Sequence, residues 1–151
     1  MDREARRTFA IALRKFFARL TTQNQFEEVA YAVSWQDPAV QYMLNCVWTL
    51  YSDGRPERLD RQVCDAWRPE VARWVLFLHS DLEYSWPPGN NFRCPLIDWP
   101  LNLLTLGWWE RRERERVAAW ERSGDVNVWP FLSSDELAAA AKDHPFAAGS
   151  S

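Results

Sequence analysis

The sequence predicts an all-α or mainly α protein: a single compact domain of about six or seven helices, one long Pro/Gly/Asn loop over residues 85–97, and at most a short extended segment near 126–131. Three observations carry the prediction. Apolar side chains recur with the helical period over most of the chain. Helix-start signals precede several of those runs: Thr22 with Gln25, Asp37 with Pro38, and Ser133 with Glu136. The length of 151 residues, 47% hydrophobic and 26% charged, matches one ordinary globular domain. Residues 1–146 are read as one helical unit and 147–151 as a frayed tail.

Residues 2–20 form the first expected helix, with Phe9, Leu13, Phe16, Phe17 and Leu20 on one face. The second runs from 23 to 35 behind a Thr22/Gln25 capping box, its stripe being Phe26, Val29, Ala30 and Val33. In the third, Asp37 caps, Pro38 takes the first helical position, and Val40, Met43, Leu44, Val47, Trp48 and Tyr51 keep the period until Gly54. Two shorter helices are expected between 55 and 80, because Pro69 either kinks the run or opens a new one. Ser80 and Glu83 have capping-box spacing. Pro87-Pro88-Gly89-Asn90-Asn91 is turn chemistry. A further helix starts near Asp98, has an interruption at Gly107 and ends at Gly124, and a last small one follows Ser133 until Pro145.

One number is abnormal: ten tryptophans, beside eight phenylalanines and four tyrosines. Their spacing is irregular, so they mark no repeat. Cys46, Cys64 and Cys94 are odd in number and contain no C-x-x-C pair, as expected of reduced thiols in a cytoplasmic protein. The N-terminal stretch has no signal-peptide pattern, and the uncharged run from Pro38 to Ser52 is too short and polar to span a bilayer.

Residues 1–20 hold six basic and two acidic side chains, +4, against a total of -3 for the whole chain. A basic amphipathic helix suits an anionic membrane or nucleic acid. The acidic balance of the remainder speaks against a nucleic-acid partner, and a Phe/Leu stripe is the ordinary signature of a core helix. The run Arg111-Arg112-Glu113-Arg114-Glu115-Arg116 alternates in sign and reads as a solvated face. His79-Ser80-Asp81 contains triad residue types, but helical neighbours point about 100° apart, so His79 and Ser80 are read as a helix end and a cap. No metal-ligand spacing and no phosphate-loop motif occurs, and no cofactor is implied.

The segment Trp86 to Pro100 is the sequence's candidate site. Trp86, Asn90, Asn91, Phe92, Arg93, Asp98 and Trp99, joined by Trp129, combine flat aromatics for stacking with polar groups that orient a ligand. Trp108-Trp109 beside Leu103, Leu104 and Leu106 is a candidate homodimer surface. The functional expectation is a non-catalytic interaction or regulatory module that binds a protein or small ligand through aromatic-rich loops. Two alternatives stand beside it. One is an enzyme using carboxylates such as Asp81, Glu83 or Asp98 in an aromatic cleft; the other is peripheral association through the N-terminal helix, which requires Phe9, Phe16 and Phe17 to be exposed.

Overall fold

Asp2 starts the first helix: its Oδ1 accepts the Ala5 N–H at 3.0 Å in the computed structural model, which describes residues 1–33, 37–50, 58–86 and 108–143. Helix α1 (Arg3–Phe17) buries Phe9, Leu13 and Phe16 completely. The apolar stripe therefore faces the core, and no Phe surface is left for a membrane at those two phenylalanines; Phe17 is half-buried. The helix is shorter than its periodicity suggests. Arg19 adopts φ 59°, the Arg19 N–H reaches the Phe16 carbonyl and the Leu20 N–H reaches the Lys15 carbonyl. This is a Schellman ending with arginine where glycine is usual. Leu20, expected on the stripe, is consequently 69% exposed.

Helix α2 (Gln23–Ala32) opens on the expected reciprocal box: Thr22 Oγ1 accepts from the Gln25 N–H, and Gln25 Oε1 accepts from the Thr22 N–H. Phe26 stacks on Phe16 with centroids 4.6 Å apart, which fastens α2 to α1. Val29 is exposed, so the buried stripe is narrower than predicted. Helix α3 (Pro38–Trp48) starts at Asp37, whose Oδ1 accepts the Ala39 and Val40 N–H groups at 3.0 and 3.4 Å. It ends at Thr49, before Tyr51 and Gly54, both of which lie outside the described residues.

Helix α4 (Arg61–His79) is one continuous element where the sequence suggests two. Pro69 removes a single intrahelical N–H, whose acceptor would be the Asp65 carbonyl. Asp65 and Pro69 are both exposed, so water can serve that carbonyl and the helix continues. Ser80 closes α4 instead of opening another helix: its hydroxyl turns back and donates to the Phe77 carbonyl at 2.7 Å. Residues 81–86 then run without helix.

Helix α5 (Trp108–Glu121) is the described part of the expected 98–123 helix; Asp98 to Gly107 lie outside the described residues, as do Pro145 and the 147–151 tail. Gly124 follows for reasons of space. A Cβ there would stand 2.8 Å from the Leu132 carbonyl oxygen and 3.0 Å from Trp86 Cζ2. The segment expected to be extended is a 3-10 turn, Val126–Val128, because Asp125 Oδ1 accepts the Asn127 N–H and folds the chain locally. Helix α6 (Ser134–Asp143) starts behind Ser133, whose Oγ accepts the Glu136 N–H, while the Glu136 carboxylate reaches Leu132 N–H, one residue earlier than in a standard box.

Helix α4 is the centre of the packing. It runs antiparallel to α1, since Arg3 pairs with Asp81 and Arg6 reaches the Leu82 carbonyl at one end, while Phe17 and Cys64 share a groove at the other. Helix α6 and the start of α3 also pack on α4. The chain is mainly helical, with six α-helices among the described residues in one domain, and none of them is long and apolar enough to cross a membrane.

Two substitutions with opposite outcomes follow from the two turns. Arg19→Gly removes the left-handed strain of a residue with a Cβ, and urea denaturation should show stabilisation of about 0.5–1 kcal/mol, the strain relief less the added chain entropy of glycine. Gly124→Ala forces Leu132 backbone or Trp86 to move, and the same measurement should show a loss of about 1–3 kcal/mol.

Candidate binding groove

The face of α4 that carries Cys64, Arg68, Val71, Ala72, Val75, Leu76 and His79 is a single stripe at helical spacing, and it lies open between two other helices. Helix α1 supplies Arg14, Phe17 and Ala18 on one side. Helix α6 supplies Leu137 and Ala141 on the other. Together they enclose a groove of about 690 Å³, within the range of small-ligand sites. From Cys64 to His79 it extends about 22 Å along the helix, at 1.5 Å per residue.

The floor and the rim differ in chemistry. Val71, Leu76 and Cys64 are buried, whereas Phe17, Val75, Leu137 and Ala141 are only half-buried, so apolar surface faces the opening. Arg14, Arg68 and His79 stand exposed on the rim, and Arg73 is partly covered. Of the arginines, Arg68 meets Asp65 at 2.6 Å, and Arg73 lies 3.6 Å from Glu70 and donates to the Asn127 carbonyl. Arg14 has no carboxylate partner among the described residues. The buried Nε of Arg73 has no hydrogen-bond partner among them either. Apart from Cys64 and His79, the lining is apolar or carries arginine.

Burial keeps two thiols and one phenol of the described residues protonated, and only the Cys64 thiol lines the groove. Burial pushes the Cys46 thiol up to about 11 and raises that of Cys64, against the opposing pull of Arg19. Burial also raises the Tyr84 phenol, even though the Trp129 indole N–H donates to its oxygen at 3.3 Å. A thiol raised in this way is mostly protonated at neutral pH and is a poor nucleophile or metal ligand.

Two residues of the sequence-derived site lie in the described part, and both belong to the core. Trp86 is 4% exposed, its indole N–H donates to the Pro130 carbonyl at 2.9 Å, and its ring meets Trp120 at 4.7 Å. Trp129 is 8% exposed and packs edge-on against Trp74 at 5.5 Å and beside Tyr42 at 4.9 Å. Both indoles are thus committed to internal partners. Asn90, Asn91, Phe92, Arg93, Asp98 and Trp99 lie outside the described residues, and so do Cys94 and the side chains of Trp108 and Trp109.

Of the carboxylates of the enzyme alternative, Asp81 and Glu83 do not line the groove, and Asp98 lies outside the described residues. Asp81 is exposed and paired with Arg3 at 2.9 Å, and Glu83 is exposed on the same irregular segment. His79, Ser80 and Asp81 form no relay, since Ser80 Oγ donates to Phe77 and Asp81 turns to Arg3. Pro69 is what hid the groove in the sequence. A break at that position divides one 64–79 stripe into two short faces, while a second apolar face of α4, Trp74 with Phe77, lies in the buried core. No family model, no curated protein and no solved structure matches the chain.

Proposed function

We propose that the chain is a binding module whose ligand lies in the groove between α1, α4 and α6. The observation that carries this reading is the half-buried apolar surface of Phe17, Val75, Leu137 and Ala141 facing the opening beside Arg14, Arg68 and Arg73. Covering a Val, Leu or Phe side chain completely is worth roughly 1.5–3 kcal/mol, so a few such contacts suffice for micromolar binding before ordering costs. The arginines orient a ligand that carries negative charge, Arg14 and Arg68 from exposed positions where they remain hydrated. Trp86 and Trp129 are committed to internal partners, so the ligand is assigned to the groove and not to those two rings.

Titration with 1-anilinonaphthalene-8-sulfonate, an apolar anion, tests the reading. Saturable binding is expected, with backbone amide shifts concentrated at Val75, Leu76, Leu137 and Ala141. Ala72→Trp, which fills an exposed position of the lining, should weaken that binding at least tenfold while the near-ultraviolet dichroism stays native. Dye binding that Ala72→Trp leaves unchanged, or shifts that map elsewhere, would contradict it.

A further inference from the structure

Building on the groove reading above, we propose that the natural occupant is an acidic amphipathic helix of a protein partner, laid along α4 between α1 and α6. Shape is the first argument. The groove is straight because it follows one continuous helix, and about 22 Å of length corresponds to roughly four helical turns. Its long side is open: Ala18, Pro69 and Ala72 on the rim are exposed, and Phe17, Val75 and Leu137 are half-covered. A small ligand in an open trough keeps much of its surface in water, whereas an amphipathic helix needs only one face covered. Apolar side chains at i, i+3, i+4 and i+7 would meet the floor and complete a layer of three helices over α4.

Charge is the second argument. Arg14, Arg68 and Arg73 line the groove, the first two at exposed positions, while the carboxylates that pair with Arg68 and Arg73, Asp65 and Glu70, are outside the lining. Arg19 adds a further positive charge close enough to act on Cys64, where Asp65 and Asp60 act in the opposite sense. A helix with glutamates flanking its apolar stripe is complementary to that edge. One with lysines is repelled.

The test uses the intact chain and two synthetic 16-residue helical peptides with the same leucine stripe, one flanked by glutamates and one by lysines. Isothermal titration should show the glutamate peptide binding at least tenfold tighter, with affinity falling as salt rises. Arg14→Glu combined with Arg68→Glu, both at exposed positions and checked for native dichroism, should reverse the preference. Failure of the glutamate peptide to bind, equal binding of both peptides, or an unchanged preference in the charge-reversed variant would overturn the proposal. Sedimentation showing a dimer that Ala72→Trp dissolves would also overturn it, by assigning the groove to a second copy. If the sulfonate dye still occupies the groove while the glutamate peptide does not, only the partner assignment falls; if Ala72→Trp leaves dye binding intact, the groove reading itself fails.

Discussion

The buried pair between Arg6 and Asp37 is the constraint on which the arrangement of helices depends. The side chains are 1% and 0% exposed, with Arg6 Nε 2.8 Å from Asp37 Oδ2. Asp37 Oδ2 also accepts the Asp2 N–H at 3.2 Å, and Oδ1 caps α3 through Ala39 and Val40. Arg6 donates in turn to the Leu82 carbonyl at 2.7 Å and lies over the Phe77 ring at 5.1 Å. Two side chains therefore fix four places: the N-terminus of α1, the start of α3, the end of α4 and the segment beyond it. Taking both charges out of water is costly, and the network offsets this only because so many of its polar atoms are partnered.

With that knot fixed, the aromatic residues fall into place around the far side of α4. Phe77 meets Phe131 at 5.3 Å and Trp74 meets Trp129 at 5.5 Å, both edge-on, and Trp86 closes the end against Trp120. The arrangement covers one long face of α4 so thoroughly that the opposite face, from Cys64 to His79, is left to α1 and α6 at its edges. The groove is the remainder of that packing. Its basic character comes from α1 and α4 themselves, through Arg14, Arg68 and Arg73. The indole N–H groups of Trp74 and Trp120 are buried without a hydrogen-bond partner among the described residues, which shows that these rings are placed by shape and area more than by polar contacts.

Much of the fold was legible because local rules decided it. The Thr22/Gln25 box, the Asp37-Pro38 start and the Phe9, Leu13, Phe16 stripe involve residues within a few positions of one another, and each behaves as its spacing implies. The same locality explains the misreadings. Pro69 costs α4 one hydrogen bond at an exposed position, and that exposure depends on the tertiary arrangement. Ser80 and Glu83 have the spacing of a cap, yet the hydroxyl of Ser80 serves the helix before it. Arg19 in a left-handed position gives no composition signal. The candidate site was harder still: a Trp-Pro pair looks alike whether its ring lines a pocket or the core, and the Trp86 to Pro130 hydrogen bond spans 44 positions of sequence. The buried Arg6 and Asp37, 31 positions apart, are likewise ordinary surface residue types until the fold brings them together.

A double-mutant cycle on that pair tests the central claim most directly. Arg6→Met, Asp37→Asn and their combination would be compared with the parent chain by urea denaturation at constant pH and salt. Asparagine keeps an oxygen for the α3 cap while removing the charge. If the pair organises the fold, each single change costs about 3–5 kcal/mol by leaving its partner buried and uncompensated. The double change then costs no more than the worse single one, because the charge has gone from both sides. Two small losses that simply add would contradict the account and place the organising interaction elsewhere in the core.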